Sequence, residues 1–360
     1  MKTRKYRLAL FLPLLLAVNL QIFAAGEELK KNFHKEYPVT PETLLEVQNK
    51  FGNVNIINWE KNQVSIDVNI ILEHPDKEKA ARLLEYINVD FSQTGNVIRA
   101  VTVIDNKFST FQTGWGSNQK KFSIDYEIYI PKTLNINLLN KYGSVYADEL
   151  AGLVRIEIKY GKLSINNMSR GSGNEKSSLV VAYSECNVTE ANWLKVEMKY
   201  SKLRISNAQV LGILSKYSDL NLGIIRSVVL ESSYDNYKFD RIGTIKAQSS
   251  YTNYTIDRVE KKLNLVTAYG GMTVNLVDAG FENIDLTGKY AKMVAFIDPD
   301  ASYMLNGTAE YSKIKVPSGN KLSRIIQNTS QTLKGVVGTN PNPDATVNIS
   351  TKYGEVVLVK

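Results

Sequence analysis

One cysteine, Cys186, and two histidines, His34 and His74, are all that this 360-residue chain holds of the residues most used for redox, metal and nucleophile–base chemistry. A single cysteine excludes an intramolecular disulfide, and Cys186 fills an apolar slot of the pattern described below, so it reads as a small buried hydrophobe. The histidines stand far apart and outside that pattern, which argues against a histidine-based metal site or nucleophile–base pair. No glycine-rich phosphate loop, zinc spacing or glycine-and-aspartate calcium repeat is present, and no cofactor is expected. Beyond the first 25 residues no stretch is apolar and long enough to span a bilayer.

Those first 25 residues read as a secretory signal. Lys2, Arg4, Lys5 and Arg7 precede an apolar run from Leu8 to about Val18, and Ala24, Ala25 and Gly26 offer a cleavage site. No cysteine follows directly, so no lipid attachment is expected there. The whole chain is +8, and four of those charges lie in the signal, which holds no acid. The mature chain is then about +4, too mild to make nucleic acid the default partner. We expect an exported, water-soluble protein, periplasmic or at the cell surface or secreted, with no membrane span after cleavage.

What the chain has in abundance is tyrosine at a fixed spacing. An aromatic residue followed by a small or polar one, then by two alternating apolar ones, occurs twelve times. The copies begin at Phe51, Tyr142, Tyr160, Tyr183, Tyr200, Tyr217, Tyr234, Tyr251, Tyr269, Tyr290, Tyr311 and Tyr353. From Tyr142 to Tyr311 the steps run from 17 to 23 residues, and Tyr353 follows after 42, twice the preceding step of 21. A fixed period in this range marks a stack of like units, which must draw its stability from stacking.

Within a unit the apolar residues alternate and then change phase. Leu194, Val196, Met198 and Tyr200 alternate with Lys195, Glu197 and Lys199, after which Leu203 and Ile205 continue on the other parity. A period of two cannot change phase without a bend, so each unit is two strand segments joined at a corner just after the tyrosine, where Gly, Ser or Ala is usual. We predict an all-β chain: a parallel β-solenoid, or β-helix, of about ten rungs of 17–23 residues. An antiparallel meander would need a hairpin turn signal at each tyrosine, and only Gly270-Gly271 comes close. The tyrosines Tyr142, Tyr160, Tyr183, Tyr200, Tyr217, Tyr234, Tyr251, Tyr269, Tyr290, Tyr311 and Tyr353 share the inward parity of the aliphatics, which predicts an inward structural aromatic ladder. A surface strip for sugar rings is the alternative.

Residues 57–133 leave the repeat. Val64–Leu72, Asn88–Asp105 and Phe122–Ile130 read as strands, and Pro75–Leu84 as a helix with proline and acids in its first turn. This segment reads as an N-terminal α+β cap, since a bare end rung exposes apolar surface and unpaired edges. The division is a signal over 1–25, a cap with the first repeat copy over 26–133 and the repeat domain over 134–360. Three insertions interrupt the pattern: 106–121 with Phe108, Phe111 and Trp115, the polar 166–178, and 317–344, a loop or hairpin in place of a rung.

Carboxylates that could serve a polysaccharide lyase or hydrolase are Asp219, Asp235, and the Asp240-Arg241 and Asp257-Arg258 pairs at equal offsets. They read more simply as charge ladders at a turn, and we expect no enzyme. Lysine precedes the aromatic at Lys50, Lys141, Lys159, Lys199, Lys216, Lys289 and Lys352, and stands two places after it at Lys162, Lys202, Lys292 and Lys313. Lysines can simply guard sheet edges. The functional alternative is a basic stripe for acidic glycans or teichoic-type polymers, interrupted by Glu185, Asp219, Glu310 and Glu355. Its candidate residues are Lys199, Lys216, Lys289, Lys292 and Lys313, together with Trp115.

The opening Leu45-Glu46-Val47-Gln48-Asn49-Lys50-Phe51-Gly52-Asn53-Val54-Asn55-Ile56 with Trp59, the copy at Tyr142-Gly143-Ser144-Val145 and the ending from Val347 to Val356 resemble the bacterial secreted "putative adhesin" domains of unknown function. More loosely, they resemble auto-transporter adhesin heads. The resemblance implies an exported, β-rich, non-enzymatic envelope protein. The expected role is an adhesin-like scaffold or binding module using its sheet faces, with an acidic glycan or an envelope protein as partner. A periplasmic regulatory or stress-response partner of another envelope protein is the second class, and a polysaccharide-active β-helix enzyme the third.

Overall fold

The computed structural model describes residues 27–108, 121–169, 175–317 and 322–360. The predicted signal, Phe111 and Trp115 lie outside the described residues. Strand accounts for 72% of the chain and helix for 4%, so the class is all-β. Among the described residues twenty-six strands join in one large sheet.

Its middle consists of five long strands, Glu185–Lys199, Lys202–Lys216, Asp219–Ser233, Asn236–Ser250 and Asn253–Ala268. Each pairs in parallel with the next along its length, Glu185 against Lys202, Lys202 against Asp219 and Asp219 against Asn236. The register slips by one between Ile242 and Thr244, which absorbs the extra residue of the next unit. On both sides the units divide into two shorter strands, such as Val154–Lys159 and Lys162–Met168. One inward column runs Val54, Val145, Leu163, Cys186, Leu203, Leu220, Tyr237, Tyr254, Met272, Met293, Val356 and Ile314, all buried. Burial pushes the Cys186 thiol up to about 12, which leaves it inert.

The corner differs from the expectation. Alternation would carry the tyrosines inward, but they lie 40–54% exposed. The reason is the backbone: all twelve aromatics have φ between 49° and 66°, the left-handed region. A left-handed residue turns the chain so that Lys199 and Tyr200 both face solvent while Ser201 turns in. The strained position is therefore the aromatic itself, and the small residue after it is small for want of space. A Cβ on Gly143 would lie 1.9 Å from the Gly52 carbonyl oxygen.

Where that residue is Ser, Thr or Asp, its side chain serves the neighbouring corner. The backbone N–H of Ser184 donates to Ser201 Oγ at 3.1 Å, that of Ser201 to Ser218 Oγ at 3.3 Å, and that of Ser218 to Asp235 Oδ1 at 2.7 Å. The hydroxyls in turn donate to the carbonyl two residues earlier, as Ser201 Oγ does to Lys199 at 2.7 Å. Buried corner N–H groups are thereby paired, which they must be to avoid an uncompensated desolvation cost.

At the N-terminal end, Glu27–Pro38 pairs antiparallel with Gln63–His74, which pairs antiparallel with Lys121–Ile130. The last of these lies parallel to Val54–Asn58. The hairpin of Ile87–Thr94 and Val97–Ile104, turning at Gly95 with φ 55°, runs its second strand parallel to Leu44–Lys50. The helix Lys77–Glu85 buries Ala80, Leu83 and Leu84. Asp76 caps it by accepting from the N–H groups of Glu78 and Lys79, so Pro75 precedes the cap rather than sitting in the first turn.

The C-terminal end is threaded out of sequence order. Thr346–Lys352 pairs in parallel with Asn283–Lys289 on one edge and Tyr303–Glu310 on the other. The outer edge of Tyr303–Glu310 is covered by antiparallel Ser330–Val337, itself in a hairpin with Leu322–Gln327. Part of the 317–344 insertion is thus a hairpin that closes the parallel edge.

Candidate functional site

Because every aromatic corner repeats one conformation at the strand spacing of about 4.8 Å, the rings align. From Phe51 through Tyr142, Tyr160, Tyr183, Tyr200, Tyr217, Tyr234, Tyr251, Tyr269 and Tyr290 to Tyr353 and Tyr311, consecutive centroids lie 4.7–5.1 Å apart. The planes are nearly parallel, 2° apart at Tyr200–Tyr217. Ring faces are consumed by one another. What meets solvent along the stack is ring edge and phenol hydroxyl, so a sugar cannot lie flat on it except at an end.

The two flanks of the stack differ in charge. On the side preceding the aromatic, Lys50, Lys141 and Lys159 are register neighbours, as are Lys199 with Lys216 and Lys289 with Lys352. Three of these lysines lean on their rings: Lys50 Nζ lies 4.6 Å from the Phe51 centroid, Lys352 5.3 Å from that of Tyr353 and Lys289 5.7 Å from that of Tyr290. Like charges side by side are unfavourable. Lys159 is offset by Glu157 at 2.7 Å and Lys352 by Glu310 at 2.9 Å, the residue before Tyr311 on the same flank, whose hydrogen bond raises the Lys352 pKa. On the other flank the signs alternate: Lys162, Glu185, Lys202 and Asp219 are successive neighbours, as are Lys292, Glu355 and Lys313.

The candidate residues therefore do not form one stripe. Lys199, Lys216 and Lys289 lie on the lysine flank, Lys292 and Lys313 across the stack beside Glu355, and Trp115 outside the described residues. The acids do not converge either. Asp235 is buried and accepts from Ser215 Oγ at 2.7 Å and Ser232 Oγ at 2.6 Å, and burial raises its pKa. Arg258 pairs with Asp278 at 2.7 Å and Arg241 with Glu260 at 3.7 Å, rather than with Asp257 or Asp240. Among the described residues no group of three or more His, Cys, Asp or Glu could hold a metal ion, and no helix is long and apolar enough to cross a membrane.

Two features went unread in the sequence. One is an apolar hollow of about 380 Å³ on the outer sheet face, floored by Gly212 and walled by Trp193, Leu214 and Val229. Alternation puts Trp193 and Leu214 on outward parity, but only the register brings them together across strands. The other is a cavity of about 590 Å³ at the Tyr311 end of the stack.

No family model matches this chain, and no curated protein matches it in sequence. Alignments to several solved structures span most of this chain. A "putative adhesin" from Parabacteroides merdae is 9% identical, covering 92% of this chain and 97% of that one, with a TM-score of 0.33. A "putative cell adhesion protein" from Clostridium sporogenes is 10% identical over 91% and 99%, with a TM-score of 0.18. A "putative lipid binding protein" from Parabacteroides distasonis is 10% identical over 91% and 97%, with a TM-score of 0.28. Two of the three carry the adhesin or adhesion name that the sequence resemblance gave. Identities and scores this low carry no inference about function.

Proposed function

We propose that this chain is an exported, non-catalytic binding protein of the cell envelope, adhesin-like in role. Its described units wind as a parallel β-solenoid of about ten rungs over 134–360, behind an α+β cap over 26–133 and a cleaved signal over 1–25. Its ligand is an acidic glycan or teichoic-type polymer running along the ring stack. The observation that carries this is the flank preceding the rings, where Lys50, Lys141 and Lys159, Lys199 with Lys216, and Lys289 with Lys352 lie side by side, a costly arrangement in isolation that an anionic polymer relieves. The phenol hydroxyls, one per rung, supply hydrogen bonds in the same direction.

Array capture of acidic glycans by the purified protein tests this, at low and high salt. We expect capture that weakens as salt rises, and that falls by about tenfold, or about 1.4 kcal/mol, in Lys199→Ala/Lys216→Ala. Salt-insensitive capture, or none, rejects it. The apolar hollow beside Trp193 favours a second reading, an envelope protein as partner. Capture of a protein from envelope fractions that Trp193→Ala abolishes would then replace the first.

A further inference from the structure

The ring stack has two ends, and they are built differently. At the first, Phe51 is closed off by Phe122 at 5.1 Å and 57°, and Phe122 by the buried Phe108 at 5.0 Å and 67°. At the other, Tyr311 has Tyr353 as its one ring neighbour among the described residues, and is the most exposed tyrosine of the series at 54%. The cavity of about 590 Å³ opens against it, within the range of small-ligand sites. It lies between the corner Tyr311–Lys313 and the hairpin Leu322–Val337, whose turn is tied to the stack by the Tyr311 N–H donating to the Thr329 carbonyl at 2.8 Å.

The lining is cationic and rich in free hydrogen-bonding groups. Arg324 has no acidic partner among the described residues, while Lys315 is matched by Glu355 at 2.6 Å. Glu355 also neighbours Lys313 and Lys292 in register, one acid among three lysines. Its carboxyl is held below the usual range, chiefly by the hydrogen bond from Lys315 and further by the charges of Lys292 and Lys313, so the field is positive there. The side chains of Asn328, Thr329 and Ser330 line the cavity and make no hydrogen bond among the described residues.

We propose that this cavity binds one acidic sugar unit at the end of a glycan chain, its ring lying on Tyr311 and its acid group held by Arg324 and Lys313. A sugar's apolar ring face suits the open face of the last tyrosine, the place where the stack can accept one more ring. Its hydroxyls suit Asn328, Thr329 and Ser330, which an unsubstituted aromatic ligand would leave unpaired. The site rests on the glycan-binding reading above and gives the polymer a fixed end point.

The test is calorimetric titration of the purified protein with a uronic-acid tetrasaccharide, and with a neutral glucose tetrasaccharide for comparison. We expect the neutral sugar to bind weaker by about tenfold or more, and Arg324→Gln to weaken the acidic one by a similar factor. Tyr311→Ala should lose binding, whereas Tyr311→Phe, which keeps the ring, should stay within about twofold of the parent. Arg324 is exposed, so its variant reports on the site even if Tyr311→Ala disturbs the fold. If the parent binds but Arg324→Gln and Tyr311→Ala bind equally well, the end site is wrong while the lysine flank survives. If the parent binds no acidic sugar, both readings fall.

Discussion

Tyr217 stands at φ 54°, a conformation that costs an L-residue about 1–2 kcal/mol. It is held there by rings on both faces, Tyr200 and Tyr234, each at 4.9 Å. Replacing it by alanine removes two stacking contacts, together about 1–3 kcal/mol, and leaves the strain in place. Replacing it by glycine removes the same contacts but relieves the strain. Tyr217→Gly should therefore be more stable than Tyr217→Ala by about 1 kcal/mol, opposite to the usual order of the two residues in a strand. Denaturant unfolding of both variants decides it, and an alanine variant equal or superior to glycine would show that the corner is not left-handed. Here lies the main thing the sequence hid. Alternation counts positions along an extended chain, and one positive φ resets the count, so Tyr200 leaves the side to which Leu194, Val196 and Met198 assign it. The small residue at Gly143 or Ser201 was a visible sign of the corner, but it marks the crowded inner side rather than the strained residue.

From Ser184 through Ser201, Ser218 and Asp235 to Thr252 each unit is held to the next at its corner by a short polar chain, and Asp235 is its one acidic member. Four donors reach it: the hydroxyls of Ser215 and Ser232 and the N–H groups of Ser218 and Ser233. Burial nonetheless wins and raises its pKa above the ordinary 3.8. A folded-state pKa above the unfolded one means that the folded protein holds this proton more tightly. The resulting stabilisation is complete below the ordinary value and is lost as pH rises through the raised one. Asp235→Asn carries no such titration, so the melting temperature of the parent minus that of the variant should fall as pH rises above the ordinary 3.8 and through the raised value. A difference that stays flat or grows with pH would mean that the four donors outweigh burial. Other carboxylates, such as Glu185 and Glu282, shift downward and act in the opposite sense, which is why the difference between the two proteins is the quantity to read. At this scale the sequence was more open. Equal offsets told which residues share a column, and the helix after Pro75 and the strand Phe122–Ile130 followed from their own periodicities. The alternating signs of Lys162, Glu185, Lys202 and Asp219 were visible too, but their pairing becomes plain only when the register sets each acid beside a lysine.

Over the whole molecule, the order of rungs in space departs from their order in the chain. A spacing of 42 between Tyr311 and Tyr353 reads as one missing rung followed by a last one. The structure instead seats Tyr353 between Tyr290 and Tyr311, with the hairpin Leu322–Val337 outermost. No local pattern encodes this, because Thr346–Lys352 has the same alternation wherever in the stack it lies. The arrangement makes physical sense at an open end. Tyr303–Glu310 gains an antiparallel partner that terminates the parallel series, and a long flat edge is a liability for any sheet protein. Engineered cysteines distinguish the two orders, since the native Cys186 is buried and unreactive. Lys289 and Lys352 are register neighbours, and strands about 4.8 Å apart lie within the Cα separation a disulfide accepts. Lys289 and Glu310 are separated by the intervening strand, about 10 Å at that spacing, beyond a disulfide's reach. Under mild oxidation Lys289→Cys/Lys352→Cys should therefore cross-link, while Lys289→Cys/Glu310→Cys should keep free thiols. A chain wound in sequence order would give the reverse, with the second pair bridged and the first left reduced. The same result bears on the cavity at Tyr311, because only the threaded order leaves that ring, rather than Tyr353, at the end of the stack.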